Sequence, residues 1–263
     1  MWNKEGDHVL SRVIAIANQK GGVGKSTTAI NLSACLSETG KKVLIIDMDP
    51  QGNATSGFGI DKDTDNNTLY EMMSGNASFE DTVMHEILDN LDLIPSNINL
   101  SASEIELFEI EDKEFVLKKK LDSVKSAYDY VIIDCPPSLN MLTINALCAA
   151  DSVLVPIQCE YYALEGLTQL IQTIDLVKER LNQSLEIEGI LFTMFDIRNK
   201  LSIQVVDNVK QNLDQHIYKT VIPRNVRLAE APSYGMPINI YDERSAGAES
   251  YRNLAQEVIS YSK

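Results

Sequence analysis

Short apolar runs of strand length alternate with longer segments of helical period along most of the chain. Runs that are apolar at nearly every position are typical of parallel strands buried on both faces, and their alternation with helices is typical of βαβ units. A helix is predicted from Ser26 to about Thr39. We therefore predict an α/β fold: a doubly wound, mostly parallel sheet with helices on both faces. The predicted strands are RVIAIAN (12–18), KVLIIDMD (42–49), YVIIDCPP (130–137), SVLVPIQC (152–159) and GILFTMFD (189–196).

Two further segments carry an apolar stripe at helical spacing, which predicts helices packed on the core. The second begins near Ala248 and is predicted to dock against the rest of the fold. The stripes are Leu164, Leu167, Leu170, Ile171, Ile174, Val177 and Leu181, and Tyr251, Leu254, Ala255, Val258 and Ile259.

The signal is weaker between residues 60 and 126. We predict a short helix near Leu69 to Met73 and a strand at LDLIPS (91–96). The acidic stretch from Glu104 to Glu114 is short and mixed with apolar residues, so it is interpreted as a solvated helical face and not as an interaction tail.

The composition supports one globular unit. With 263 residues and 44% apolar content, the chain is long enough for a sizeable core, so residues 12–263 are predicted to form a single domain after a flexible leader, residues 1–11. No segment resembles a signal peptide or a membrane span. The four cysteines lack metal-ligand spacing and are expected to be reduced core residues of a cytoplasmic protein.

The formal charge of −15 argues against a surface that is basic throughout. It leaves open a local basic patch formed by dimerisation.

The segment KGGVGKST (20–27) joins the first predicted strand to the first predicted helix. Glycines let backbone N–H groups close around phosphate oxygens, and the helix N-terminus adds partial positive charge. In the G-x-x-x-x-G-K-[ST] pattern the lysine reaches the β and γ phosphates and the following hydroxyl ligates Mg²⁺. The predicted ATP-binding residues are Lys20, Gly21, Gly22, Val23, Gly24, Lys25, Ser26 and Thr27.

Carboxylates end two of the predicted strands. Asp134 ends YVIID, where a carboxylate can hold Mg²⁺ through water. Asp47 and Asp49 lie two residues apart, so their side chains point to the same side, near the carboxyl ends of the strands where α/β sheets bind ligands. Either alone could instead cap a loop.

The loop departs from the common pattern, because Gln19 replaces the first glycine and an additional lysine, Lys20, follows it. This form resembles the deviant P-loop family that includes the ParA/Soj chromosome- and plasmid-partitioning ATPases and the division-site ATPase MinD. Three further segments are similar to the ParA/Soj branch, so the resemblance covers nearly the whole chain. They are IIDMDPQGN (45–53), VIIDCPPS (131–138) and VIPRNVRLAEAPSYG (221–235).

The resemblance implies an ATP-dependent homodimer in which Lys20 reaches the nucleotide of the other subunit. It further implies that Lys20, Lys25 and Asp49 act in slow hydrolysis of ATP to ADP, with Asp49 orienting the attacking water. Ser26, Asp47 and Asp134 would serve Mg²⁺, and Pro223 and Asn225 would contact adenine.

The ParA/Soj branch further implies DNA binding without sequence preference through Arg198 and Arg227. The expected partner is a ParB/Spo0J-like centromere-binding protein that stimulates hydrolysis and resets the dimer to monomer. The location implied is cytoplasmic and nucleoid-associated, with no membrane partner.

Two alternatives remain at this point. A MinD-like membrane-associated regulator would need a basic amphipathic C-terminal helix, whereas this chain ends EVISYSK. A reductase-like ATPase would hold an iron-sulfur cluster with paired cysteines, for which Cys135 lacks a glycine-rich ligand loop.

Overall fold

The computed structural model describes residues 11–63, 66–160 and 163–261. Of the predicted leader, only Ser11 lies within the described residues. Lys263 and the side chain of Leu164 also lie outside them. The strands are β1 Arg12–Ile16, β2 Val43–Asp47, β3 Met84–Leu88, β4 Leu91–Ile94, β5 Tyr130–Asp134, β6 Ser152–Gln158 and β7 Glu186–Thr193. The helices are α1 Lys25–Glu38, α2 Asn53–Gly57, α3 Leu69–Ser74, α4 Phe79–Thr82, α5 Leu100–Glu106, α6 Val116–Leu121, α7 Met141–Ala149, α8 Ala163–Arg180, α9 Lys200–Asn212, α10 Val226–Glu230, α11 Ile238–Tyr241 and α12 Ala246–Ser260.

The strands form one seven-stranded sheet in the order β3-β4-β2-β5-β1-β6-β7. All neighbouring pairs are parallel except β3 with β4, which is antiparallel. The prediction of a mostly parallel sheet is confirmed. The sequence did not reveal edge strand β3, because MHEIL carries polar residues and its register is irregular, with Glu86 at a φ of 51°.

The strands bury both faces. Alternate residues of β1 enter two separate apolar clusters, with Val13 and Ala15 in one and Ile14 and Ile16 in the other, as the two-residue period of a strand requires. The first cluster is covered by α3 and α5 to α9, and the second by α1, α2 and α10 to α12. This arrangement confirms the doubly wound fold with helices on both faces.

Helix α12 packs against α1. This contact confirms the prediction that the C-terminal helix docks against the rest of the fold. Tyr251, Leu254 and Val258 are buried, and the Tyr251 hydroxyl lies 3.2 Å from that of Thr28. The four cysteines are buried and unpaired, which confirms that they are reduced core residues. Within residues 11–63, 66–160 and 163–261, no helix is both long and apolar enough to cross a membrane.

Two glycine backbones touch where the end of the VIPRNVRLAEAPSYG segment meets the loop after α2. Gly235 has a φ of +63°, and a Cβ there would lie 2.4 Å from the Gly59 Cα atom. An L-residue at this position is strained by its backbone and also collides with main chain that cannot rotate away. The contact fixes this segment beside α2, which follows Asp47 in the chain.

Gly235→Ala should lower the free energy of unfolding by about 2–5 kcal/mol, because left-handed strain adds to overpacking. Gly75→Ala is the matched control, since Gly75 has a φ of +81° and nothing within 4 Å of a built Cβ; it should cost only about 1–2 kcal/mol. Urea unfolding measures both. Equal losses would contradict the role given to the Gly59 contact.

Candidate nucleotide and magnesium site

The turn between β1 and α1 leaves a helix N-terminus open to an anion. Gly22 and Gly24 have φ values of 74° and 91°, which glycine adopts without strain. Gly24 caps α1, and within the described chain no side chain takes that role. By contrast, Asn140, Asn199, Asn225 and Ser245 cap α7, α9, α10 and α12 with their side chains. The first-turn N–H groups of α1 are thus left for a ligand such as phosphate.

Two strand-end residues that sequence reasoning missed hold this loop. The Asn18 carboxamide donates to the Pro156 carbonyl at 2.7 Å and accepts from the Lys20 N–H at 2.9 Å. The Thr193 hydroxyl lies 2.7 Å from the Val23 carbonyl oxygen. Both are polar residues at the ends of apolar strands, which is the signal that could have revealed them. They tie the loop to β6 and β7.

Lys25 is a buried cation at the base of this turn. It is 7% exposed, and its ammonium group donates to the Lys20 carbonyl at 3.2 Å. Burial lowers the pKa of Lys25, and the nearby carboxylates of Asp134 and Asp49 oppose that shift. A lysine tied to its own loop and close to carboxylates is directed toward the position of a bound anion.

Asp47 and Asp134 stand opposite each other in the register of β2 and β5. Both are fully buried. Burial raises the pKa of Asp47 to about 6. For Asp134, burial and then the charge of Asp47 raise the pKa, while the neighbouring Ser26 hydroxyl and Lys25 oppose the rise.

The two carboxylates differ in what they bind. Asp47 accepts from the Thr55 N–H and the Thr55 hydroxyl, each at 2.7 Å, and from the Asp49 N–H at 3.2 Å. Neither oxygen of Asp134 accepts a hydrogen bond from the residues described. Asp134 is therefore the unsatisfied acceptor, whereas Asp47 anchors the segment that follows β2.

An unsatisfied buried carboxylate beside a serine hydroxyl fits Mg²⁺, which prefers oxygen ligands. Among the described residues, no group of three or more acidic, histidine or cysteine side chains forms a ready-made metal cage. A Mg²⁺ ion at Ser26 and Asp134 would thus need nucleotide phosphates to complete its ligands. The role predicted for Asp47 at this ion stays a prediction. In this structure the Asp47 oxygens accept hydrogen bonds from Thr55 and Asp49.

Asp49 begins the loop after β2 and is 6% exposed. One carboxylate oxygen accepts from the Gln51 N–H at 2.9 Å, so Asp49 does cap its own turn, as one interpretation of the sequence had it. It also lies close enough to Lys25 to act on its pKa. The structure brings Asp49 to the same end of the sheet as Asp47 and Asp134.

Lys20 points outward from the loop, and 46% of its side chain is exposed. Its ammonium group forms an ion pair with Glu160, just after β6. Sequence reasoning did not single out Glu160. In this chain the additional lysine is thus accessible at the surface but already paired with a carboxylate.

A cavity of about 220 Å³ opens beside the loop. Gly24 and Thr27 line one side, and Pro223 and Asn225 line another. The Asn225 side-chain oxygen accepts from the Arg227 N–H at 2.8 Å as a helix cap, which leaves its NH₂ group to face a ligand. The cavity also includes Met194, Ile222, Leu228 and Tyr251, which sequence reasoning did not assign to a site.

A larger cavity of about 610 Å³ lies at the opposite end of the parallel strands. Its lining includes Lys42 and Tyr128, which precede β2 and β5. Parallel sheets bind ligands at the carboxyl ends of strands. The smaller cavity is therefore the candidate for a nucleotide base.

Arg198 lies on a loop next to the segment that leads into α10, which carries Arg227, because the Arg224 N–H donates to the Phe195 carbonyl at 3.0 Å. Their side chains are 87% and 55% exposed, but both are paired with carboxylates. Arg198 binds Asp196 at 2.9 Å, holding the pKa of that carboxyl at about 2. Arg227 binds Glu230 at 2.9 Å and Asp242 at 3.4 Å.

The structure bears on both alternative functions. Cys135 is completely buried, and burial raises the pKa of its thiol, which disfavours the thiolate that an iron-sulfur ligand requires. The apolar face of α12 lies in the core through Leu254 and Val258. A membrane-surface helix needs that face for lipid.

The chain is similar over nearly its whole length to proteins of known name and of known structure. A family model described as an AAA domain matches residues 11–187. Sporulation initiation inhibitor protein Soj of Bacillus subtilis is 56% identical over 251 residues, covering 95% of this chain and 99% of that protein. Chromosome partitioning protein ParA of Caulobacter vibrioides is 51% identical, covering 95% of this chain and 94% of that protein.

Among solved structures, cobyrinic acid a,c-diamide synthase of Mycobacterium smegmatis with bound ADP and magnesium has a TM-score of 0.85 at 35% identity. The match covers 96% of this chain and 95% of that chain. That structure shares the fold and has a nucleotide and Mg²⁺ bound. Because Soj of Bacillus subtilis and ParA of Caulobacter vibrioides are each more than half identical to it over nearly their full lengths, the chain belongs to the ParA/Soj family of chromosome-partitioning ATPases.

Proposed function

We propose that this protein is an ATP-dependent dimerisation switch that binds DNA without sequence preference and is reset by slow hydrolysis. The observation that carries the proposal is the pairing of an uncapped helix N-terminus with the unsatisfied Asp134, next to an outward-facing Lys20. The first two features suit a nucleotide with its cation. The third suits a contact with a second subunit.

The ATP phosphates would lie on the first-turn N–H groups of α1, with Lys25 neutralising charge that develops during phosphoryl transfer. The base would occupy the cavity at Pro223, where the Asn225 NH₂ group can donate to a ring nitrogen. Asp49 would orient the attacking water.

Ser26 and Asp134 would hold Mg²⁺, which neutralises phosphate charge during transfer. Asp47 would support this site indirectly, because the hydrogen bonds that it accepts from Thr55 and Asp49 fix the loop that carries Asp49. The relative with bound ADP and magnesium supports this assignment.

Lys20 would leave its ion pair with Glu160 and bind a phosphate group of the nucleotide held by the partner subunit. Such a site is complete only in the dimer, so hydrolysis is coupled to dimer lifetime. The DNA-binding dimer would present two copies of Arg198 and Arg227 and would be nucleoid-associated in the cytoplasm. A ParB/Spo0J-like centromere-binding partner would stimulate hydrolysis.

Asp134→Asn and Asp47→Asn should change stability in opposite directions. The first removes a buried charge that Lys25 and Ser26 compensate only in part, and it should stabilise the nucleotide-free protein by about 1–3 kcal/mol at neutral pH. The second puts an NH₂ group among donors and should destabilise it by about 1–3 kcal/mol. Urea unfolding without nucleotide measures both.

The pH dependence follows from the raised pKa of Asp134. The folded wild type takes up a proton at a higher pH than the unfolded chain, so its stability rises as pH falls through that range. The advantage of Asp134→Asn should shrink accordingly toward pH 5. Mg²⁺-dependent ATP turnover should still fall about 10–100-fold. A destabilised Asp134→Asn protein would contradict the account of this site.

Lys20→Ala should bind ATP with near-normal affinity, because Lys25 and the α1 N–H groups remain, yet stay monomeric. Size-exclusion chromatography with light scattering, in ATP and Mg²⁺, measures the oligomeric state. Asp49→Ala is the counterpart, expected to give dimers that persist. If Lys20→Ala forms dimers of normal lifetime, Lys20 does not act at the nucleotide of the partner subunit. If Asp49→Ala is only monomeric in ATP, the result counts against ATP-dependent dimerisation as the switch.

Arg198→Ala and Arg227→Ala should abolish ATP-dependent co-sedimentation with DNA and remove the stimulation of ATP hydrolysis by DNA. Asp196→Asn should strengthen DNA binding, since it frees Arg198 for phosphate. Arg180→Ala, at the exposed end of α8, is the control. Hydrolysis measured with DNA, with the partner and with both should show synergy in wild type. Undiminished DNA retention by the arginine variants would refute this interface.

A further inference from the structure

Helix α5 and the turn after it are apolar on two sides. One side is buried through Leu100 and Leu107. The other carries Ile105 and Phe108, together with Ile98 in the turn just before α5; these residues are 77%, 63% and 65% exposed, respectively. We call these three residues the outer stripe. A helix that is apolar on both sides is typically covered on both, and clustered exposed apolar residues mark interaction sites.

The outer stripe lies among carboxylates, which the sequence analysis assigned to a solvated face. The exposure of Ile105 and Phe108 agrees with a solvated face, but the sequence interpretation did not consider that the exposed residues are apolar. The ammonium group of Lys113 lies 4.9 Å from the Phe108 ring centroid, so the aromatic face already accepts a cation. The surrounding acidic residues are Glu106, Glu109, Glu111 and Asp112.

These charges select the occupant. Acidic side chains around an apolar stripe repel DNA, anionic lipid and a second copy of a chain with a formal charge of −15. They attract a segment with lysine or arginine beside apolar residues. The complement of the outer stripe is therefore a cationic amphipathic segment of a partner protein.

Hydrogen bonds connect α5 with the start of α7, and the segment just before α5 with a residue that binds Asp47. On one side, the Asn140 amide donates to the Glu104 carboxylate, and Asn140 caps α7 at the end of the loop that follows Asp134. On the other, the Ser96 N–H donates to the Thr55 hydroxyl at 2.9 Å, and that hydroxyl donates to Asp47. A displacement of α5 would therefore act on the end of the loop that follows Asp134, and a displacement of the segment before α5 would act on Thr55, which binds Asp47.

We infer that the outer stripe is the docking surface for a cationic amphipathic segment of the partner, and that Glu104 transmits docking to the nucleotide site through Asn140. This inference rests on the proposed function, because it locates the partner that stimulates hydrolysis. Glu104 is a positioning residue in this account. It acts on the loop after Asp134 and does not touch substrate.

The docking test uses Ile105→Ser/Phe108→Ser, with Leu176→Ser as the control because Leu176 is a 47% exposed leucine on α8. Stimulated hydrolysis is measured against cognate partner concentration and divided by each protein's own unstimulated rate. The double variant should need at least about tenfold more partner for half-maximal stimulation. The control should match wild type.

The positioning role is tested with Glu104→Ala and Glu104→Gln. The alanine variant should bind partner as wild type does but lose at least about two thirds of the maximal stimulation, since the Asn140 amide loses its acceptor. The glutamine variant keeps an acceptor oxygen and should restore it. Equal stimulation in the alanine variant and wild type would refute the route through Asn140.

A second probe separates this inference from the proposed function. Crosslinking to a synthetic amphipathic peptide of lysine and leucine should be strong for wild type and Leu176→Ser and weak for the double variant. Equal crosslinking of wild type and the double variant would overturn the docking surface. Loss of ATP-dependent dimerisation in the double variant would also overturn it, because the outer stripe would then belong to the homodimer interface. Failure of the partner to stimulate wild type would instead contradict the proposed function, and the peptide result would still decide the surface.

Discussion

Two buried carboxylates of like charge side by side are the constraint on which the rest of the site depends. Asp47 and Asp134 face each other at the ends of adjacent strands, and both side chains are withdrawn from water. Such a pair is stable only if donors or cations compensate it. Thr55 supplies the donors for Asp47. For Asp134 compensation is incomplete and comes from Lys25 and Ser26, which ties the site to a ligand that brings its own cation.

The neighbouring elements can be understood as consequences of this pair. Lys25 can be buried because carboxylates surround it, and its tether to the Lys20 carbonyl keeps it beneath the glycine turn. Thr55 satisfies Asp47 only while α2 stays in place, and the close contact of Gly59 with Gly235 holds the loop after α2. The segment that lines the base cavity is therefore coupled by packing to the segment that carries Asp49.

Sequence patterns were sufficient for the parallel sheet and the phosphate loop, because both arise from residues close together in the chain. Strand runs, glycine positions and the lysine at the start of α1 are all local signals. The compensating contacts were not predictable in this way. Thr55 lies eight residues from Asp47, Glu160 lies far along the chain from Lys20, and Glu104 meets Asn140 across thirty-six positions. Only the fold brings these pairs together.

The same distinction applies to the acidic stretch after residue 104, for which the sequence predicts a solvated helical face. Its charges are indeed solvated, but helical spacing alone does not tell which of two apolar sides meets the core, and the fold buries Leu107 while leaving Ile105 and Phe108 outside. A protein tolerates such exposure when a partner covers it for part of the time. The buried side of α5 is fixed by the core, Glu104 binds the residue that ends the loop after Asp134, and Ser96 just before α5 binds Thr55 beside Asp47. The exposed side is therefore where an external event can act on the surroundings of the carboxylate pair.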